Sequence, residues 1–440
     1  MRLLYINDLR SLPNFGCRTT GAALEAMLRK KHQVVRRDGI ETVLGSGWDM
    51  YAPGLIRMGG ALPGRLYHKA WRERYKAPEK FDRVKRLDLA MGAKHDFITD
   101  DPEQSVQDFL SLARTDRSAA EMLSQLREAD ALVINGEGTL ILSGPMKRDA
   151  SYVLFAIALA RSQGKKAYLL NAMVTKDPFS EPTAQVMSAA TVMLGYCTRI
   201  ACRESESLAF VRSLIGAANT VQIPDALFTW RERFSRAAEA MRSEPGLAVT
   251  FRSELEYDAL DLRTPYICIS GTSSGWRHGE QAVEQYAKLA RATAAIGLRV
   301  YMVETCHGDG FLRHAARRAG VTLVPKETPV LAAGGLLAGA QLYITGRYHP
   351  AIMASSTGVP SIFMASNSHK TRTVQALLGY EDPMEFSACP SDTEIAAIVE
   401  RARIILQDRA VHEERIRQSS AQQAALAAAY VDLLDQESNA

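Results

Sequence analysis

Short apolar runs recur along the chain, each followed by a polar or glycine-bearing loop and then by a stretch with helical period. The first is Leu3 to Ile6, with a turn-rich loop Ser11 to Thr20 and an amphipathic helix from about Thr20 to Lys31. Alternation lapses from about Gly45 to Asp101, then resumes with strands predicted at Ala131–Ile134, Lys166–Leu170, Arg199–Cys202 and Val221–Ile223, separated by helical stretches. From about Phe228 to Pro265 the charges are mixed and no strand pattern shows. A second series follows: strands at Tyr266–Ser270, Arg299–Val303, Val321–Val324, Leu342–Ile344 and Val359–Met364, with helices between them. Strands that alternate with helices are the pattern of parallel sheets covered on both faces.

Two such series predict an α/β protein of two Rossmann-like domains facing across a cleft, GT-B-like, with a C-terminal helical tail. The expected boundaries are 1–228 for the N-terminal domain with an insertion at about 45–101, 229–265 for a connection, 266–390 for the C-terminal domain, and 391–440 for the tail. A chain of 440 residues exceeds one ordinary core, which agrees with two domains. The insertion carries WRERYKAPEKFDRVKRL, read as a lid or, more plainly, a solvated basic helix.

Composition narrows the class. The chain is 47% hydrophobic and 23% charged, with a net charge of +4, too weak a basic excess for a nucleic-acid binder. Its first apolar run is too short for a signal peptide, and no stretch reaches the roughly 18 to 20 apolar residues that span a bilayer. Six cysteines without CxxC spacing fit reduced thiols. The expected location is cytoplasmic, with room for peripheral membrane contact, and neither metal nor cofactor is expected.

The chemistry concentrates at predicted strand ends. In GRYHPAIMASSTGVPSIFMASNSHK, Arg347 and His349 follow one apolar run, and Asn367, His369 and Lys370 follow the next. Ligands of open parallel sheets bind outside the carboxyl ends of the strands, beside helix N-termini whose free N–H groups suit anions. Arginine grips a carboxylate or phosphate with two parallel bonds, and imidazole moves protons near neutral pH. CRES places Arg203 at another strand end, and IPDAL offers Asp225 as a carboxylate that holds an arginine. NGEGT brings Gly136 and Glu137 to a loop after a strand; it lacks the full dinucleotide and P-loop patterns. Glu304, Cys306, His307 and Asp309 crowd one loop too closely to close a metal site, so His307 is read as a substrate contact.

Taken together, PNFGCRTTGAAL, NGEGTL, CRESESL, PDALF, GRYHPAIMASSTGVP and SNSHK resemble the polysaccharide pyruvyl transferase family. The resemblance runs from Asn14 to Lys370, with about 45–101 outside it. It implies a GT-B-like fold and transfer of a pyruvyl group from phosphoenolpyruvate to a sugar of a cell-surface polysaccharide or its precursor, as a cyclic ketal. Arg203, Arg347 and His349 are donor-site residues by this resemblance, and Lys370, His369 and Asn367 join them from the strand-end reading. His349 is the candidate acid and Glu137 the candidate partner of the acceptor hydroxyl, with Asn14, Gly136, Asp225 and His307 lining the acceptor side or cleft. The family often has leucine where Tyr348 stands and three glycines near Asn135–Gly138. The alternative is a GT-B-type glycosyltransferase in which Arg347 and Lys370 hold the diphosphate of a nucleotide sugar. The partners are therefore phosphoenolpyruvate, or a nucleotide sugar, and a glycan acceptor, with no nucleic acid.

Overall fold

The computed structural model describes residues 1–38, 97–144, 146–243 and 260–435. Nearly all of the expected insertion, including its basic segment, lies outside them. The described residues form two compact units, each on its own six-stranded sheet.

Unit 1 takes its residues from Met1–Asp8, Lys31–Ala201 and Phe210–Val221. Its sheet runs in the order β2-β1-β3-β4-β5-β6, formed by β1 (Arg2–Asp8), β2 (Gln33–Asp38), β3 (Ala131–Leu142), β4 (Lys166–Lys176), β5 (Arg199–Cys202) and β6 (Thr220–Gln222). The pairs β1–β2, β1–β3 and β3–β4 are parallel. Buried runs such as Leu3–Ile6 and Ala131–Ile134 have no alternating polar face, as expected of strands covered on both sides.

Helices α2 (Pro102–Leu112), α3 (Arg117–Glu128), α4 (Arg148–Ser162) and α5 (Ala184–Gly195) belong to unit 1. From Ala150 to Ala160 α4 is buried all round. A helix without a polar face must be covered on every side, and Phe155 packs between Phe97 and Phe109 at ring distances of 4.7 and 5.2 Å.

Unit 2 is assembled from three stretches: Leu9–Lys30, Cys202–Ala209 and Gln222–Ala440. Its sheet, β7 (Tyr266–Thr272), β8 (Arg299–Val303), β9 (Thr322–Val324), β10 (Leu342–Gly346), β11 (Ser361–Met364) and β12 (Glu385–Phe386), runs β12-β11-β10-β7-β8-β9. Every neighbouring pair is parallel. This is the dinucleotide-fold order, with its reversal between β7 and β10. The two-residue period of a strand divides the core in two: Cys268, Tyr301, Tyr343 and Phe363 enter one apolar cluster, and Ile267, Ile269, Met302, Ile344 and Ile362 the other.

The helices of unit 2 are α1 (Phe15–Leu28), the start of α6 (Ser205–Ile215), α7 (Arg231–Ser243), α8 (Glu280–Ala294), α9 (Phe311–Ala319), α10 (Val330–Ala338), α11 (Tyr348–Ser355), α12 (Lys370–Leu377), α13 (Asp392–Gln407) and α14 (Arg409–Ala427). No helix among the described residues is long and apolar enough to cross a membrane.

Two elements differ from expectation. Helix α1 starts at Phe15 rather than near Thr20, because the Asn14 side chain caps it, accepting from Gly16 N at 2.9 Å and Cys17 N at 3.3 Å. Asn135–Thr139, expected as a loop, lies inside β3, whose pairing with β4 continues through Glu137↔Ala172 and, after a register shift, Leu140↔Val174. The stretch after Phe228, which showed no strand pattern, holds the helix α7.

Candidate functional site

A cluster of polar side chains lies in unit 2 where its sheet order reverses. Strands β7 and β10 approach closely there: a Cβ on Gly346 would lie 2.4 Å from Thr272 Cγ2. Arg347 then caps α11 in extended conformation, its N–H donating to Thr345 Oγ1 at 3.0 Å. Its guanidinium meets Asp309 Oδ1 at 2.5 Å and Ser273 Oγ at 3.4 Å. Asp309 is itself fixed, because its second oxygen accepts from Thr305 N at 3.0 Å and Thr305 Oγ1 at 2.7 Å. Burial opposes the charge on Arg347, and the carboxylate of Asp309 outweighs it, so the arginine pKa is raised.

The chain of contacts continues along the loop after β11. Ser366 Oγ donates to Ser273 Oγ at 3.2 Å, and Lys370 Nζ donates to Asn367 Oδ1 at 2.8 Å. Arg347 and Lys370 both reach the Cys306 thiol electrostatically; burial nevertheless raises that thiol's pKa, assisted by Asp309.

Beside this lies a triangle of Arg203, Asp225 and His349. Arg203 is 1% exposed and Asp225 fully buried. Arg203 Nη1 is 3.1 Å from Asp225 Oδ2 and 3.1 Å from His349 Nε2, and the imidazole Nε2 is 3.2 Å from the same carboxylate oxygen. The other oxygen of Asp225 accepts from Thr20 Oγ1 at 2.7 Å and Leu227 N at 2.9 Å. Burial alone would raise the Asp225 pKa; the charges of His349 and Arg203 and the Leu227 N–H overcome it and hold the carboxyl well below the usual range. The guanidinium of Arg203 also stacks 4.1 Å from the centre of the Tyr348 ring, a cation–π contact.

His349 Nδ1 has no hydrogen-bond partner among the described residues and lies over Gly16, where an added Cβ would sit 2.2 Å from it. The ring is held from the other side by Arg203 and Asp225, so it has little room to give. Gly16→Ala is expected to displace the imidazole and lower kcat by about 10²-fold, and to lower the Tm as well, since forced overpacking costs about 1–3 kcal/mol; wild-type kcat in steady-state assays would show that the ring position is not demanding.

The residue after Arg203 forms a separate contact. Glu204, 1% exposed, accepts from His369 Nε2 at 2.9 Å and from Ser207 N with both oxygens, and Glu206 lies 3.5 Å from His369 Nδ1.

The strand-end candidates Arg203, Arg347, His349, Asn367, His369 and Lys370 thus all fall in unit 2, with Asp225 and Asn14. His307 is exposed at the start of a short 3-10 turn. Glu304 places its carboxylate on Arg313 and Lys326, and among the described residues no group of three or more His, Cys, Asp and Glu is placed to hold a metal. Gly136 and Glu137 belong to unit 1. There three adjacent strands each carry a non-glycine residue in the left-handed region, Asn7 at φ 58°, Glu137 at 37° and Asn171 at 55°, a conformation that costs of order 1–3 kcal/mol per residue. Asn7 Nδ2 donates there to the Asn135 carbonyl at 2.7 Å and to Thr139 Oγ1 at 3.1 Å.

Sequence reasoning did not single out Gly16, Thr20, Glu204 or Ser273, and it set Asp309 aside with the metal reading. Gly16 alone carried a local signal. A glycine at the second position of a helix, two residues after a capping asparagine, marks a close approach.

Two parallel six-stranded sheets with flanking and C-terminal helices define an α/β fold of GT-B type. Similar solved structures are UDP-GlcNAc 2-epimerase of Neisseria meningitidis bound to UDP-GlcNAc (TM-score 0.55, 11% identity, 100% of each chain) and a putative UDP-N-acetylglucosamine 2-epimerase of Listeria monocytogenes (0.56, 10%, 99% of this chain and 97% of that one). The trehalose-6-phosphate synthase OtsA is also similar (0.53, 9%, 99% of this chain and 98% of that one). No curated protein matches the sequence. The profile of the polysaccharide pyruvyl transferases matches residues 60–368. The chain belongs to that family and is a transferase.

Proposed function

We propose that the protein moves a pyruvyl group from phosphoenolpyruvate to two hydroxyls of one sugar, as a ketal, in the synthesis of a cell-surface polysaccharide. The observation that carries this reading is the pairing of His349 with Arg203 on a fully buried carboxylate, two residues along from Arg347, with Lys370 held at the next strand end by Asn367. Phosphoenolpyruvate brings a carboxylate and a phosphate, and cations fixed before the substrate arrives stabilise charge without reorganising.

In this scheme His349 Nδ1 gives a proton to the enol CH2, making it a methyl group, and the adjacent carbon, now electron-poor, is attacked by one sugar hydroxyl. The second hydroxyl attacks the same carbon as its bond to the phosphate oxygen breaks. Inorganic phosphate leaves with both electrons of that bond. Two hydroxyl protons are released; one restores His349 and the other accompanies the phosphate. Glu137 of unit 1 is the carboxylate proposed to take a hydroxyl proton, and Arg203, Arg347 and Lys370 the groups proposed to hold the donor. The enzyme acts in the cytoplasm, where phosphoenolpyruvate is made.

A nucleotide sugar is the competing donor, since a diphosphate would also satisfy Arg347 and Lys370. A thermal-shift comparison decides between them. A ligand at about 100 times its Kd adds about 2.7 kcal/mol to stability, so phosphoenolpyruvate is expected to raise the Tm while UDP-sugars leave it unchanged. Selective stabilisation by a UDP-sugar would replace the pyruvyl reading.

A further inference from the structure

We infer that Glu204 is a positioning residue for the donor anion, acting through His369 on Lys370; this rests on the reading that Lys370 contacts that anion. Arg203 and Glu204 are consecutive, and each holds a histidine from a different strand end. Arg203 meets His349 after β10, and Glu204 meets His369 after β11. The short segment before α6 therefore fixes two groups at once, the imidazole proposed to move the proton and the loop that delivers Lys370.

His369 stands at the N-cap of α12 but makes no capping bond with its side chain. Its ring instead has a carboxylate on each side, Glu204 at Nε2 and Glu206 at Nδ1. With a carboxylate against each nitrogen, the ring turns neither of them to an approaching anion, so His369 is a poor receptor for an anion and a good strut. Glu204 is rigid enough to serve, because both of its oxygens are tied to Ser207 N at 3.1 and 3.0 Å. Burial works against its charge, and the bond to His369 with the Ser207 contacts prevails, lowering its pKa. Lys370 follows His369 directly and is held over the same loop by Asn367. Lateral play in His369 thus becomes lateral play in the ammonium group.

The test is a double-mutant cycle on the whole chain, read by calorimetric titration with phosphoenolpyruvate and, separately, with inorganic phosphate. Glu204→Ala is expected to weaken binding about tenfold and Lys370→Ala at least as much, while the double variant binds no more weakly than Lys370→Ala alone. Glu204→Gln, which keeps an oxygen facing the ring, is expected to recover most of the affinity. Wild-type affinity in Glu204→Ala, or losses that add in the double variant, would overturn the assignment. Should Glu204→Ala not fold, His369→Gln enters the same cycle with the same expected outcomes. A wild-type chain that binds phosphate but not phosphoenolpyruvate removes the pyruvyl reading, and the cycle is then read on phosphate alone. A wild type that binds neither overturns both.

Discussion

His349→Ala is expected to lower kcat by about 10²–10⁴-fold, the usual worth of a positioned acid or base, with a much smaller change in KM for phosphoenolpyruvate. The expectation follows from how the ring is held. Nε2 is taken by Asp225 and Arg203, which leaves Nδ1, over Gly16, as the nitrogen that delivers a proton. Donor affinity is assigned to the arginines and Lys370, which the substitution leaves in place, so the loss belongs in the chemical step. An interaction made only in the transition state lowers kcat and kcat/KM together. Steady-state kinetics with varied phosphoenolpyruvate read both, and near-normal kcat in the variant would remove His349 from the mechanism.

The largest effect on stability is expected from Asp225→Ala. That carboxylate is fully buried and faces Arg203, His349, the Thr20 hydroxyl and the Leu227 N–H. Removing one member of a buried ion pair costs about 3–5 kcal/mol, because the remaining charge loses its compensation. A lowered Tm should therefore accompany lost activity, and the drop should exceed that of His349→Ala, which leaves Arg203 to compensate the carboxylate. The pH dependence has a definite sign. The folded-state pKa of Asp225 is depressed, so its contribution is fully present above the unfolded value near 3.9 and fades as the pH falls below that value toward the folded pKa. Denaturation curves between about pH 3 and pH 7 should show the wild type losing its advantage over Asp225→Ala at the acid end. A difference constant across that range would mean that folding does not depress the Asp225 pKa.

How much of this could be read from residues alone depended on distance along the chain. The segment Gly346–Lys370 was legible because strand, cation and helix start are local patterns, and β10, α11, β11 and α12 follow in that order. The helix α11 nevertheless opens at Tyr348, two residues before Pro350, which places His349 inside its first turn. Asn135–Thr139 misled for a physical reason: two glycines after an apolar run usually end a strand, but here β4 runs long beside it and the pairing continues past a left-handed Glu137. Asp309 and Ser273 meet Arg347 only because β8 and β10 flank β7 in the sheet. Nothing in their own surroundings announces it. Glu204 was hidden by its neighbour, since the arginine at that strand end drew the chemical reading.

The hydrogen bond between Thr20 and Asp225 joins residues 205 positions apart, and it constrains when unit 2 can assemble. Helix α1 precedes nearly all of the unit 1 sheet in the chain, yet the elements it packs against, the turn Ala226–Trp230 and the helices α10 and α11, follow that sheet. Contacts so distant in sequence form slowly, because loop closure must precede them. Nascent α1, with its buried face of Phe15, Ala23, Leu24 and Met27, has to wait until those later elements are made, and a fragment that begins at Gln222 would lack it and Arg203 altogether.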